Sequence, residues 1–105
     1  MNALGELYPN RVFHYFQEIS GIPRGSGHTD KIKEYLLNFA GEHGFSAAGD
    51  AAGNVVIKKP GTAGYENSPT VILQGHSDMV CEKVPGSSHD FLTEGLQLKA
   101  EGDYL

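Results

Sequence analysis

One short run constrains this chain more than any other feature. Thr70-Val71-Ile72-Leu73-Gln74-Gly75 is β-branched and apolar with no polar alternation. A strand with one wet face alternates, so a run that does not alternate reads as a central strand covered on both faces. Covering both faces takes further layers, and the residues before it supply helical periodicity, which narrows the fold class to α/β.

The upstream text divides by its period. Residues 8–19 are predicted as a helix, with Pro9 suited to a first turn, Val12, Phe13, Phe16 and Ile19 on one face, and Ser20-Gly21 as the stop. Residues 22–27 hold too much Gly and Pro for regular structure, and Ser26 or Thr29 then offers an N-cap for a second helix that ends at Gly44. Ile32, Tyr35, Leu36 and Phe39 form its apolar stripe, Asp30 favours its positive end, and His43 precedes the glycine cap. Beyond Gly44 the period shortens, and residues 45–48 and 54–59 read as a hairpin around a turn at 49–53. Residues 60–69 are a polar loop, 82–95 are irregular, and 96–104 alternate well enough for one more strand or hairpin.

Composition removes several function classes. Thirteen acidic against eight basic residues give a net charge of −5 with no basic cluster, which argues against a nucleic-acid partner. No apolar run approaches the length of a membrane span, and residues 1–9 lack the positive start and apolar block of a secretory signal, so a cytoplasmic location is expected. Cys81 is the single cysteine, which leaves no internal disulfide and no multi-cysteine metal knot.

Chemistry concentrates where the apolar run ends, at Gln74-Gly75-His76-Ser77-Asp78-Met79-Val80. Strand ends in α/β sheets are where ligands bind. If the backbone stays extended past Gly75, residues two apart point the same way, and Asp78 can reach the His76 imidazole. A metal-binding histidine needs such an acceptor on its second ring nitrogen to fix its tautomer. By itself the triplet is a weak signal, and the plainer reading is a histidine and an aspartate that only hydrogen-bond at a strand end.

Wider text carries a resemblance. Residues 18–27, the Gly53-Asn54-Val55-Val56-Ile57 stretch, residues 71–80, His89-Asp90-Phe91 and residues 96–105 together resemble the M20-type metallopeptidases, and within them the aminoacyl-histidine dipeptidase branch. The resemblance implies the N-terminal part of a zinc-peptidase-like α/β/α sandwich with a mixed sheet, incomplete in this chain. It implies His76 as a metal ligand and Asp78 as the catalytic carboxylate that orients it. The full-length protein is then expected to hydrolyse Xaa-His dipeptides such as β-alanyl-histidine, using two divalent metal ions, zinc by expectation, and a glutamate base.

The remaining ligands are expected beyond Leu105. Residues 1–105 therefore read as the N-terminal portion of a catalytic domain without its lid, inactive alone and holding no ion tightly. The expected partner is a small peptide substrate; the full-length protein is expected to dimerise, and the shorter chain to self-associate through an open sheet edge. A tripeptidase, an N-acyl amino acid deacetylase or a non-catalytic truncated domain are the alternatives.

Other candidates receive plainer expectations. His89-Asp90 reads as a surface turn, His14, His28 and His43 as exposed or capping, Cys81 as a small core residue and Glu82-Lys83 as a solvated pair. Arg24 stays open between binding a substrate carboxylate and pinning its own loop through carbonyls. No substrate-binding residue is assigned.

Overall fold

Pro9 opens the first helix, but from just outside it. The computed structural model describes residues 4–105, so the part of the leader argument that rests on residues 1–3 lies outside the described residues. Helix α1 spans Asn10–Ser20, with Pro9 extended at the N-cap (φ −76°, ψ 127°). The Pro9 carbonyl accepts the Phe13 N–H at 3.2 Å, which starts the helical ladder. At the other end the Gly21 N–H donates to the Gln17 and Glu18 carbonyls. The anticipated apolar face of α1 is only partly covered: Phe13 and Ile19 are half-buried, while Val12 and Phe16 are exposed.

Helix α2 spans Asp30–Glu42 and carries the core, with Ile32 and Ala40 buried. Its end is a Schellman motif. The Phe45 N–H donates to the Ala40 carbonyl at 2.8 Å and the Gly44 N–H to the Gly41 carbonyl at 3.1 Å. That closure needs a left-handed residue, and Gly44 supplies it with φ 72°. Thr29 occupies the N-cap position without a side-chain hydrogen bond.

Strands β1 (Ser46–Gly49) and β2 (Val55–Lys58) pair antiparallel, from Ser46 opposite Lys58 to Gly49 opposite Val55. One carboxylate organises their turn: Asp50 accepts from the Ala52 and Asn54 N–H groups and from the Asn54 amide. The Asn54 side chain and backbone, more than the other contacts, hold the Asp50 carboxyl below the usual carboxylate range. Lys33 Nζ reaches from α2 to the Asp50 carbonyl at 2.6 Å, fastening helix to hairpin. Between the helices, Tyr35 donates to Glu18 Oε2 at 2.5 Å and the Tyr15 and Phe39 rings meet edge to face. Burial first, and the Glu18 carboxylate second, push the Tyr35 hydroxyl pKa up.

After Lys58 the described residues contain no further strand. This corrects two expectations. The 70–75 run is extended but unpaired, and Val71, Ile72 and Leu73 are 80%, 85% and 94% exposed rather than buried. A strand forms only where another backbone takes its hydrogen bonds, and none of the described residues lies alongside this run. Residues 96–104 are likewise not a strand; they end in a tight turn in which Glu101 and Tyr104 exchange backbone bonds of 2.8 and 3.1 Å. The intervening loop instead docks on the end of α1. Leu96 N–H donates to the Ser20 carbonyl at 2.7 Å. Gly95 crosses the Gly21 backbone so closely that a Cβ there would run into the Gly21 carbonyl.

Helix and strand therefore mix as the α/β reading requires, around two helices and a two-stranded sheet. The body is drawn out. Its radius of gyration is 16.4 Å, against roughly 13 Å for a compact domain of this length. It exposes 8448 Å², where a compact protein of this mass exposes roughly 5,700 Å².

Candidate functional site

The exit of the 70–75 run turns back against the loop that joins α1 to α2, and this contact shapes the site. Gly25 and Met79 form an isolated parallel bridge: the Met79 N–H donates to the Arg24 carbonyl at 2.8 Å, and the Ser26 N–H to the Met79 carbonyl at 3.2 Å. The Arg24 guanidinium reaches over the same segment, with Nη1 donating to the Ser77 and Asp78 carbonyls at 3.1 and 3.3 Å. Between its two candidate roles, the contacts of Arg24 are those of a loop pin.

His76 and Asp78 meet as the period-two geometry requires. His76 Nδ1 lies 2.8 Å from Asp78 Oδ1. An ionised carboxylate only accepts, so Nδ1 carries the proton and donates. The ring is 82% exposed and the carboxylate 38% exposed; Nε2 meets no hydrogen-bond partner among the described residues. On its far oxygen, Asp78 accepts from Ser26 Oγ at 2.6 Å. The Ser26 hydroxyl first, then the His76 ring, hold the Asp78 carboxyl below the usual carboxylate range.

These residues face an open cleft of about 960 Å³, walled on one side by residues 74–78 and on the other by the start of α2 and the hairpin turn. Among the described residues no group of three or more His, Cys, Asp or Glu side chains is arranged to hold a metal ion.

Comparison with known proteins then bears on what the site is. No family model matches the sequence. The chain is 38% identical over all 105 residues to the cytosol non-specific dipeptidase of Escherichia coli, covering 22% of that protein. Its fold matches the crystal structure of aminoacylhistidine dipeptidase from Vibrio alginolyticus with a TM-score of 0.87 at 38% identity, over 94% of this chain and 20% of that one. The chain is a homologue of these dipeptidases. It spans about a fifth of the length of either relative.

Against that background the other candidates sort by their contacts. His43 caps α2 through the Phe39 carbonyl at 2.9 Å, and His28 is exposed, both as anticipated. His14 is exposed but does have an acidic neighbour, Glu18 at 3.2 Å one helical turn on. His89 is more than a surface residue: its ring is half-buried, 3.3 Å from Glu94, and stacks edge-on against Phe91. Asp90 beside it caps the turn, accepting from the Leu92 N–H and the Thr93 hydroxyl. Lys83 does not pair with Glu82 but donates to the His89 carbonyl at 2.7 Å. Cys81 is exposed, not a core residue. Ser26 is the neighbour of the His76–Asp78 pair that reading the sequence missed, because a serine ahead of a helix reads as a cap and its actual partner lies 52 residues away.

Proposed function

We propose that this chain supplies the His76–Asp78 corner of a metal-dependent dipeptidase that acts on Xaa-His dipeptides. The observation that carries the reading is the oriented imidazole at the cleft, with Nδ1 committed to Asp78 and Nε2 without a partner among the described residues, in a chain homologous along its whole length to dipeptidases. The donor chemistry fits a divalent ion of the zinc type: an imidazole whose Nδ1 is engaged, with a carboxylate behind it to raise the basicity of Nε2. His76 would hold the ion through Nε2, and Asp78 would hold His76.

A divalent ion, when bound, supplies a Lewis acid for the scissile carbonyl and makes water more acidic. The residues described here position and orient. Asp78 holds the ring against rotation, the Ser26 and Arg24 loop holds Asp78 and its backbone, and the cleft beside them offers room for a small peptide. A single imidazole does not retain a catalytic ion, so the reading concerns a protein of the relatives' length in which His76 is one of several donors. The relatives' names differ on breadth, one being called non-specific and the other aminoacylhistidine-directed. Broad dipeptide specificity is therefore the second reading. The cytoplasm is the proposed location, in line with the E. coli protein's name, and no described helix is long and apolar enough to cross a membrane.

The test is an assay of the full-length protein against β-alanyl-histidine and a set of dipeptides without histidine, before and after chelation. Chelator-sensitive release of histidine, restored by Zn²⁺ or Mn²⁺, is expected. Chelator-resistant hydrolysis would overturn the metal assignment, and equal rates across the set would favour the broad reading.

A further inference from the structure

The geometry points to Ser26 as a positioning residue of this site, acting on His76 through Asp78. This deepens the reading of His76 as a ligand and rests on it. A carboxylate tied by one oxygen can still rotate about its Cβ–Cγ bond and take the imidazole with it. Asp78 is tied by both oxygens, to His76 Nδ1 at 2.8 Å through Oδ1 and to Ser26 Oγ at 2.6 Å through Oδ2, so its plane is set.

Ser26 is itself fixed. Its N–H is bound to the Met79 carbonyl, the neighbouring Arg24 carbonyl takes the Met79 N–H, and the Arg24 guanidinium holds the carbonyls of Ser77 and Asp78. The hydroxyl therefore sits on a backbone locked to the segment it serves. It is also not spent where a serine in this context is usually spent. The N-cap position of α2 belongs to Thr29, and among the described residues the one side-chain hydrogen bond of Ser26 goes to Asp78. The side chain is exposed, which leaves room for the extra methyl of a threonine.

The experiment uses the full-length protein labelled with ¹⁵N in its histidine rings, metal-free and at about pH 8, above the ordinary histidine range. Long-range ¹H–¹⁵N spectra report the His76 tautomer directly. The wild type is expected to show Nδ1 protonated and Nε2 bare. Ser26→Ala is expected to shift His76 to a mixture of tautomers and to weaken Zn²⁺ binding, measured against a chromophoric chelator, by roughly tenfold; Ser26→Thr restores both. Ser26→Cys, a nearly isosteric weak donor, serves if the alanine variant does not fold and is expected to fall between the two.

A His76 tautomer and Zn²⁺ affinity unchanged in a folded Ser26→Ala or Ser26→Cys protein would overturn the proposal. The two readings fail separately. A tautomer shift in a protein that binds no Zn²⁺ keeps the positioning role and removes the metal, whereas tight Zn²⁺ binding that is indifferent to Ser26 removes only the positioning role.

Discussion

The two halves of the chain differ in how their backbones are satisfied. From Asn10 to Lys58, two helices and a hairpin close nearly all their hydrogen bonds on near neighbours, and α2 buries Ile32 and Ala40 beneath them. From residue 59 onward the chain is extended or turning, and among the described residues it is hydrogen-bonded to the first half at two places: the loop carrying Arg24 and Ser26, and the end of α1. The first half makes its own structure. The second half carries the candidate site and takes its shape from what it is fastened to.

The sharpest way to separate the halves is to remove His76. In the full-length protein His76→Ala is expected to lower kcat/KM by more than about 100-fold, beyond the roughly 10- to 100-fold expected of Asp78→Ala as an orienting partner. His76→Ala, at an exposed ring, should leave the urea midpoint nearly unchanged, whereas Asp78→Ala, which also removes the Ser26 hydrogen bond, should lower it slightly. A large loss of stability with activity retained would break the division.

A paired substitution probes the same line from the other side. Ile32 is 3% exposed, and Ile32→Ala is expected to destabilise this chain by about 2–5 kcal/mol. Leu73→Ala, at a fully exposed position, should stay within about 0.5 kcal/mol. In the full-length protein the Leu73 change becomes the informative one, since a cost near that of Ile32 there would show the run covered.

Gly95→Ala comes next. Its methyl would strike the Gly21 carbonyl, and a cost of about 1–3 kcal/mol is expected, with faster amide exchange across residues 87–96 and little change in α2. Exchange rising throughout α2 as well would mean that the second attachment supports the first half, contrary to the comparison.

The smallest effect is on pH. Asp50, Asp78 and Asp90 all have carboxyl pKa values below the ordinary range, through Asn54, through Ser26 and His76, and through the Leu92 N–H and Thr93 respectively. Their contribution to stability is present above the unfolded value of about 3.9 and is lost as pH falls through the folded values. Acid should therefore loosen both halves, and Asp50→Asn should flatten only the part of the profile that belongs to the hairpin. Tyr35 runs the other way: its raised pKa stabilises below the unfolded value of about 10 and is lost above it.

What was legible in the sequence follows the same division. Both helices and the hairpin could be read because their signals are local: a 3.6-residue stripe, a glycine at the left-handed cap position and a turn bounded by Gly49 and Gly53. His76 and Asp78 could be placed together because only a period-two argument was needed. The 70–75 run was read correctly as β-like in composition but not in circumstance, since pairing depends on a neighbour that the run itself does not encode. The stripe of α1 was overread for the same reason. Arg24 was legible as a candidate but not in its partners, and the roles of Ser26 and Gly95 were not legible, because each acts on residues distant in the sequence and no nearby pattern marks the partner.

The clamp between residues 24–26 and 77–79 joins positions 52 to 54 apart in sequence. Closing so long a loop costs conformational entropy that none of its few bonds repays early. The expected order of folding is therefore α1, α2 and the hairpin first, with the His76–Asp78 pair oriented last. A chain still emerging from synthesis, or locally opened at the clamp, would thus keep a folded first half while holding no oriented imidazole, so competence at this site reports completion of the fold.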